Sequence, residues 1–511
     1  MDQAAPDRQP DQEPQPRSEG PEEAPAVPGV PSGTAAAVPA ATASPSGTAT
    51  AATASTAAIP ARSWLVLALL FGIHTLIEAD LWLMAAVLPE VKQELTLDET
   101  DAAWLPTVLL GAAAIAAVAA GYLADWMRRP RLLAVAMGAW GLAVVGTGLA
   151  RTFDQVQLAR ATTGAGGAAG IVVAMSLLVD VFPRRLRGRA LAAFFLGMPA
   201  GALVSLGIRA AVPVQAGWPA AFLTAGAPGL VLAMLAIFLP HPVRGASEPV
   251  DSMRLRLHEY FGPSQEDYVD LMVNSSFNYG LLGLAFSAFA VAGLAYWLPP
   301  FLAAKGMAPQ TAGRLAITIL LAAAAVGTVV GGWLADTFGA RRPGRLFLLP
   351  GIAMLAAIGC VLVLVYARSE PWINLGIFLT EYALFLVVAP CFTIIAGVTM
   401  PSMRGVAFGV ALAARHVLGD LWSPTIMGWV IDTFAQRDSM ATPFGRVLAA
   451  LGALPHTHRG QEPQNLTAGL LLIPVVLLVG GIVLLAGTRH LPRELALMIA
   501  KLRAAPSRRA S

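Results

Sequence analysis

From Trp64 onward the chain alternates uncharged apolar runs of about 20 residues with short breaks rich in charge, Pro or Gly. A helix needs about 20 apolar residues to cross a bilayer, so each run predicts one spanning helix. Strands of a membrane barrel are shorter and alternate apolar with polar positions, a pattern these runs do not follow. The predicted spans are 64–88, 102–124, 132–150, 156–180, 188–212, 219–240, 276–303, 311–335, 345–366, 371–399, 404–431 and 467–487. The widest break inside this region, 241–275, carries Arg244, Glu248, Asp251, Arg254, Arg256, Glu266 and Asp267 and divides the twelve spans six and six. The expected fold is an all-α membrane protein with twelve transmembrane helices in two six-helix bundles, 61–240 and 276–487, joined by a cytoplasmic linker over 241–275.

Composition agrees. Of 511 residues, 56% are hydrophobic and 13% charged, whereas a soluble domain carries about 25% charged residues. Such a chain cannot cover a water-facing surface. The formal net charge of +3 leaves no strongly basic face for nucleic acid. Cys360 and Cys391 fall in apolar runs and offer neither a disulfide framework nor metal spacing. Residues 1–60 are Pro, Ala, Ser, Thr, Gly and acids with almost no large apolar side chain. They bury too little surface to offset their ordering entropy and are expected to form a disordered cytoplasmic tail. They lack the basic start and short apolar core of a cleaved leader.

Charge in the breaks sets the orientation. Arg128, Arg129 and Arg131 follow span 2; Arg184, Arg185, Arg187 and Arg189 follow span 4; Arg341, Arg342 and Arg345 follow span 8. The alternate breaks hold far fewer cations, among them Lys92, Arg151, Arg209, Lys305 and Arg368. The positive-inside rule then puts both termini in the cytoplasm of a multi-pass cell (inner) membrane protein, with the 432–466 connection outside. His456 and His458 in that connection read as solvated. The final segment, 488–511, sets Arg489, Arg493, Lys501, Arg503, Arg508 and Arg509 around Leu495, Leu497 and Ile499. It reads either as a basic amphipathic helix against anionic lipid or as a solvated tail.

The two halves share a string. Gly121-Tyr122-Leu123-Ala124-Asp125 ends span 2, Gly332-Trp333-Leu334-Ala335-Asp336 ends span 8, and Arg clusters follow both. Two parallel six-span halves around a midplane site are a transporter architecture. The strings resemble the loop motif of the major facilitator superfamily. Further segments resemble its Spinster-like branch: Arg160 to Ala168 with Gly164 and Gly166, Asp180-Val-Phe-Pro183, Phe289 to Trp297, Glu381 to Phe385, and His416 to Pro424. The resemblance covers about residues 70–435. It implies the major facilitator fold, with each motif Asp meeting a helix N-terminus of the opposite half together with an Arg. Gly121, Asp125 and Arg129 carry that switch in one copy; Gly332, Asp336, Arg341 and Arg342 carry it in the other. Topogenic charge alone would account for the Arg residues but not for the repeated Gly and Asp. The chain departs from the branch where Leu81 follows Asp80 in place of a basic residue, where Gly167 replaces a Glu, and where Val387 replaces an Asn.

Charge inside the spans carries the candidate chemistry. A charge at mid-bilayer costs about 2.5 to 3.5 kcal/mol, so such a residue faces a bundle interior or water. The resemblance places Asp80 of span 1 and Arg160 of span 4 on the central cavity, where an Asp would alternate between a proton and an Arg partner; a static bridge between helices is the alternative. His74 and Glu78, four apart, share a face of span 1, while Asp80 points about 200° away from Glu78. That pair reads as a second protonation site or as local pairing near the outer headgroups. In the second half the polar groups are Glu381 on span 10 and Arg415, His416 and Asp420 on span 11. Facing the cavity, Arg415 would attract a phosphate or carboxylate head group; at the cytoplasmic end it would close a gate. Trp297 and Tyr382, with Phe289, Trp422 and Trp429, would line an amphiphile pocket or form interfacial belts. Gly197-Met-Pro199-Ala-Gly201 faintly resembles an antiporter motif and reads first as helix packing.

No nucleophile elbow, phosphate loop, zinc motif or kinase set appears, so no enzyme, cofactor or metal is expected. The expectation is a monomeric secondary active transporter working by alternating access on an amphiphilic or lipid-like small molecule. Protons would be coupled through Asp80, Glu78 and Glu381, with substrate contacts from Arg160, Arg415, His416, Trp297 and Tyr382. The alternatives are a drug or organic-acid transporter on the same scaffold, or a transport-dead membrane sensor or scaffold.

Overall fold

The computed structural model describes residues 59–339, 341–455 and 463–504. The tail expected to be disordered up to residue 58, His456 and His458 lie outside the described residues. The apolar runs become helices because a bilayer leaves no water to pair with backbone groups, so each segment must satisfy its own. The first half comprises α1 (Ala61–Leu95), α2 (Glu99–Trp126), α3 (Arg129–Leu149), α4 (Phe153–Val181), the broken pair α5 (Arg187–Phe195) and α6 (Gly197–Ala211), and α7 (Gly217–Ala236). Polar residues just before the runs fix several starts. Asp98 accepts the Asp101 N–H at 2.7 Å at the head of α2, and Thr152 accepts that of Gln155 at the head of α4. With 35 residues, α1 is roughly 52 Å long at 1.5 Å per residue, well beyond the hydrocarbon thickness of about 30 Å.

Two short helices follow, α8 (Ser252–Phe261) and α9 (Gln265–Val273). The second half has α10 (Ser275–Ala304), α11 (Pro309–Gly339), α12 (Arg345–Tyr366) and the pair α13 (Glu370–Leu386) and α14 (Val388–Val398). Next come α15 (Arg404–Ala414), α16 (Ser423–Thr433), the short α17 (Arg437–Ala441) and α18 (Pro443–Ala450), α19 (Leu466–Leu470), α20 (Leu472–Gly487) and α21 (Leu491–Arg503). Among the described residues, eleven crossings are long and apolar enough to span a membrane.

The twelfth, expected as one run over 404–431, is interrupted. Between α15 and α16 the backbone takes a π-helical turn, Arg415–Asp420. Pro424 lies in the first turn of α16 and has no N–H to offer the Asp420 carbonyl, so a regular helix cannot run through. Gly419 presses the turn onto α10, where a methyl at that position would meet the Ala288 side chain at 2.7 Å. The Ser423 hydroxyl donates to the Phe289 carbonyl at 2.5 Å and holds the break in place.

Within the first half α1 packs on α6 and α3 on α7; across the halves α2 packs on α15 and α11 on α5. The closing helix α21 also has a protein partner. Its Met498 and Leu502 pack with Leu255 of α8, against Met400, Val243 and Val250. Glu494 accepts the backbone N–H groups of Ser275 and Ser276 at 3.1 and 2.8 Å, capping α10, and Lys501 pairs with Asp270 at 2.7 Å. Of the apolar residues expected to face lipid or solvent, Leu495 and Ile499 pack against the protein and Leu497 is exposed.

Candidate functional site

Two mirrored contacts close one end of the seam between the halves. The Asp125 carboxylate, at the end of α2, accepts the backbone N–H groups of Gly405 and Val406 at 2.8 Å each, in the first turn of α15. The Asp336 carboxylate, at the end of α11, accepts those of Gly188 and Arg189 at 2.7 and 2.9 Å, in the first turn of α5. An α-helix leaves its first N–H groups unpaired and carries partial positive charge at that end. Each Asp therefore supplies both the missing acceptor and the opposite charge. The repeated glycine permits the approach. A methyl on Gly121 would overlap the Gly405 carbonyl, and one on Gly332 would overlap Ala192.

The Arg partners differ from the expected ones. Arg129 does not pair with Asp125; its guanidinium reaches Asp180 at 2.5 Å and the carbonyls of Ser176 and Pro242 at 2.9 and 3.0 Å. Nor does Asp336 pair with Arg341 or Arg342, which are exposed; its cation is Arg189 of the other half, 3.7 Å away. Local order in the chain suggests neighbours as partners, whereas the fold brings Arg189 of α5 to Asp336 and turns Arg129 toward Asp180.

Behind these contacts lies a buried charge network centred on Asp180 and Glu248. Asp180 binds Arg129, the Gly245 N–H at 3.0 Å and Arg404 of α15 at 2.9 Å. Glu248 binds Arg187 at 2.6 Å, Arg184 at 3.0 Å, and Arg404. Arg244 donates to the Ala124 and Met127 carbonyls at the end of α2. Burial by itself would push the Glu248 carboxyl up, but Arg187, Arg404 and Arg184 outweigh it and hold it far below the usual carboxylate range. The segment 241–250 is thus pinned to both halves. Glu248 stood in the sequence as one of several charges in a polar break, and nothing local marked it as buried.

Toward the middle, both halves enclose a cavity of about 280 Å³. Most of its wall is apolar or aromatic, including Trp82, Ile171, Phe195, Val388, Phe392 and Leu412. Its titratable and charged lining comes from two sides: His74 and Glu78 on α1, and Arg415, His416 and Asp420 on the π-helical turn. The turn sets the second group. His416 Nδ1 lies 2.9 Å from Asp420 Oδ2, and the half-buried Arg415 lies 3.8 Å from the same oxygen. Arg415 therefore faces the cavity.

The other predicted residues fall around this space. Asp80 and Arg160 form a buried bidentate pair at 3.0 and 2.7 Å, which occupies both carboxylate oxygens. Asp80 lines a neighbouring void of about 70 Å³ together with Glu78, Gly167 and His416. Glu381 is fully buried on α13, and neither of its oxygens meets a hydrogen-bond partner among the described residues. Trp297 and Tyr382 do not line the cavity. The Trp297 indole donates to the Pro424 carbonyl at 2.9 Å, bracing the helix break, and Tyr382 stacks on Phe378. Phe195 and Phe392, one from each half, stack at 5.0 Å beside the cavity; as aromatics within apolar runs they carry no distinguishing signal in sequence.

Two helical halves locked together at one end around a mostly apolar, charge-studded cavity define a multi-pass membrane transporter. The chain belongs to the Major Facilitator Superfamily, whose family model matches residues 70–424. Its curated relatives place it in the Spinster branch. One of them, protein spinster homolog 3 of Danio rerio, is 24% identical over 451 residues, 85% of this chain and 86% of the relative. The fold matches a crystal structure of a bacterial homolog to the human lysosomal transporter Spinster, in an inward-facing and unoccupied conformation, with TM-score 0.54, 21% identity and coverage of 88% and 100%. It also matches a double-Trp mutant of XylE, with TM-score 0.64, 14% identity and coverage of 85% and 99%.

Proposed function

We propose that this protein is a secondary active transporter that moves an amphiphilic, lipid-like small molecule by alternating access with proton coupling. The observation that carries this reading is the composition of the central cavity. Apolar and aromatic walls suit an acyl or ring body, and Arg415 offers a fixed cation for a phosphate or carboxylate head. Carboxylates stand on and beside its wall, Glu78 and Asp420 on it and Asp80 next to it, and a further carboxyl, Glu381, is buried in the second half. One proton falling through 100 mV supplies about 2.3 kcal/mol, enough to drive a gradient of roughly 50-fold.

Alternating access requires the locked end to open. Breaking the Asp125 and Asp336 contacts and the bridges of Arg404 to Asp180 and Glu248 would free the two halves to rock, and the 241–250 segment, held mainly by first-half partners, would travel with that half. By the positive-inside rule the locked end faces the cytoplasm of the cell membrane, with both termini on that side.

The test is uptake into proteoliposomes. A fluorescent lysophosphatidate should accumulate when an inward proton gradient is imposed and not without it. Accumulation of neutral drugs or short organic acids but not of the lysophosphatidate would favour the other substrate classes. Failure of every probe to move would favour a sensor or scaffold.

A further inference from the structure

The ring of His74 is clamped. It stacks on Phe194 with centroids 4.6 Å apart, meets the edge of Phe195 at 5.7 Å, and fills the slot left by Gly197, where any Cβ would overlap it. Its Nδ1 lies 2.9 Å from the Phe194 carbonyl oxygen. A carbonyl oxygen only accepts, so Nδ1 carries a hydrogen, which assigns the tautomer. The opposite nitrogen, Nε2, then faces Glu78 Oε1 at 3.5 Å. With Nε2 bare and Glu78 ionised, a lone pair would point at an anion. One further proton removes that conflict, on Nε2 as imidazolium beside carboxylate, or on Oε1 as a carboxylic acid donating to Nε2. Gly201 of α6 sets the other side of the slot, since a Cβ there would meet the Glu78 Cβ at 2.6 Å. The Gly197 and Gly201 pair thus makes room for both partners.

We propose that His74 and Glu78 share one exchangeable proton and form the proton-binding site of the cavity. Protonated, the pair is neutral; when the proton leaves, a net charge of −1 remains on the cavity wall, and Glu78, 18% exposed, has space to turn outward. The charged and titratable groups around it are few. On α1 itself Asp80 is occupied by Arg160 of α4. Between Gly217 and Ala236, α7 has no titratable residue, and the one cation of α6, Arg209, pairs with Glu90. Across the cavity stand Arg415, His416 and Asp420. An anionic head group held by Arg415 is repelled by the deprotonated pair and not by the protonated one. Proton uptake and anion binding therefore favour each other by linkage. This coupling rests on the transport reading above; the proton site itself does not.

Infrared difference spectroscopy on the full chain in nanodiscs, stepped between alkaline and acidic pH, reads the site without transport. Glu78→Gln and His74→Asn should each remove the same carboxylate and imidazole features, and the double variant should remove no more, because the proton is shared. If the two variants remove separate and additive features, or neither removes any, the proposal is overturned. If His74→Asn does not fold, ring-labelled histidine in the Glu78→Gln protein decides alone. One of the seven histidines must then lose its pH-dependent ring signal, and seven unchanged signals would refute the pairing. The addition of lysophosphatidate to the wild type should produce the protonation features at a fixed pH. If they appear but liposomes show no uptake, the proton site stands and the transport reading fails.

Discussion

Asp125 and Gly405 are 280 residues apart in the chain and 2.8 Å apart in space, carboxylate oxygen to backbone nitrogen. With the neighbouring bond to Val406, this contact joins the end of α2 to the start of α15 and so joins the two halves. Replacing Asp125 with Ala removes a charged acceptor from a helix N-terminus, a loss of about 1 to 2 kcal/mol. The balance between closed and open forms should shift roughly tenfold toward opening at this end. Spin labels at Arg131 and Arg489, both exposed and on opposite halves, would report it as a longer mean distance in a background lacking Cys360 and Cys391.

The Asp80–Arg160 pair is buried on both sides and bidentate. Removing either partner alone strands the other charge, at a cost of about 3 to 5 kcal/mol. Asp80→Asn and Arg160→Gln should each lower thermal stability markedly, and the double variant should lose much less than the two losses combined. Thermal unfolding of all four proteins in one detergent completes the cycle.

Glu248 makes stability depend on acid. Its carboxyl is held far below the usual range in the folded protein, so it binds a proton more readily when unfolded. The stabilisation it gives is fully present above the unfolded carboxylate value of about 4.3 and fades as pH falls from there toward the folded value. The wild type should therefore lose stability progressively below about pH 4. Glu248→Gln should be less stable at neutral pH by roughly 3 kcal/mol, with Arg184 and Arg187 left uncompensated and Arg404 keeping only Asp180, and should show a flatter acid limb. Melting curves between neutral and acidic pH check both statements.

Arg415 should set head-group preference. A hydrogen bond to a charged group contributes about 1.5 to 3 kcal/mol. Arg415→Gln should therefore weaken binding of lysophosphatidate by roughly ten- to a hundredfold, while a neutral monoacylglycerol binds nearly as before. Quenching of Trp82 in a variant retaining it as the sole tryptophan measures both.

Much of the architecture was legible in the chain because bilayer thickness converts directly into run length. Eleven predicted spans correspond to continuous or bent helices of sufficient length. In span 11 hydropathy gives the length of the run but not its hydrogen-bond pattern, so Pro424 marks a site that can kink while the six-residue π-helical turn before it is visible only in the structure. The aromatic character of Trp297 and Tyr382 suggests substrate contact, yet neither lines the cavity. Whether an aromatic meets a cavity or a carbonyl depends on helix rotation, and runs that are apolar all round do not encode it.

The sequence by itself determined that the chain spans a membrane, divides six and six, and repeats a Gly–Asp device in each half. Those properties are local or periodic, set by run length, charge spacing and repetition. Only the tertiary structure decided which groups meet: Asp125 with the head of α15, Arg129 with Asp180, Glu248 with Arg404, and His74 with the Phe194 carbonyl. Such contacts depend on the rotation and depth of helices far apart in the chain, where close packing, rather than the order of residues, selects the partner.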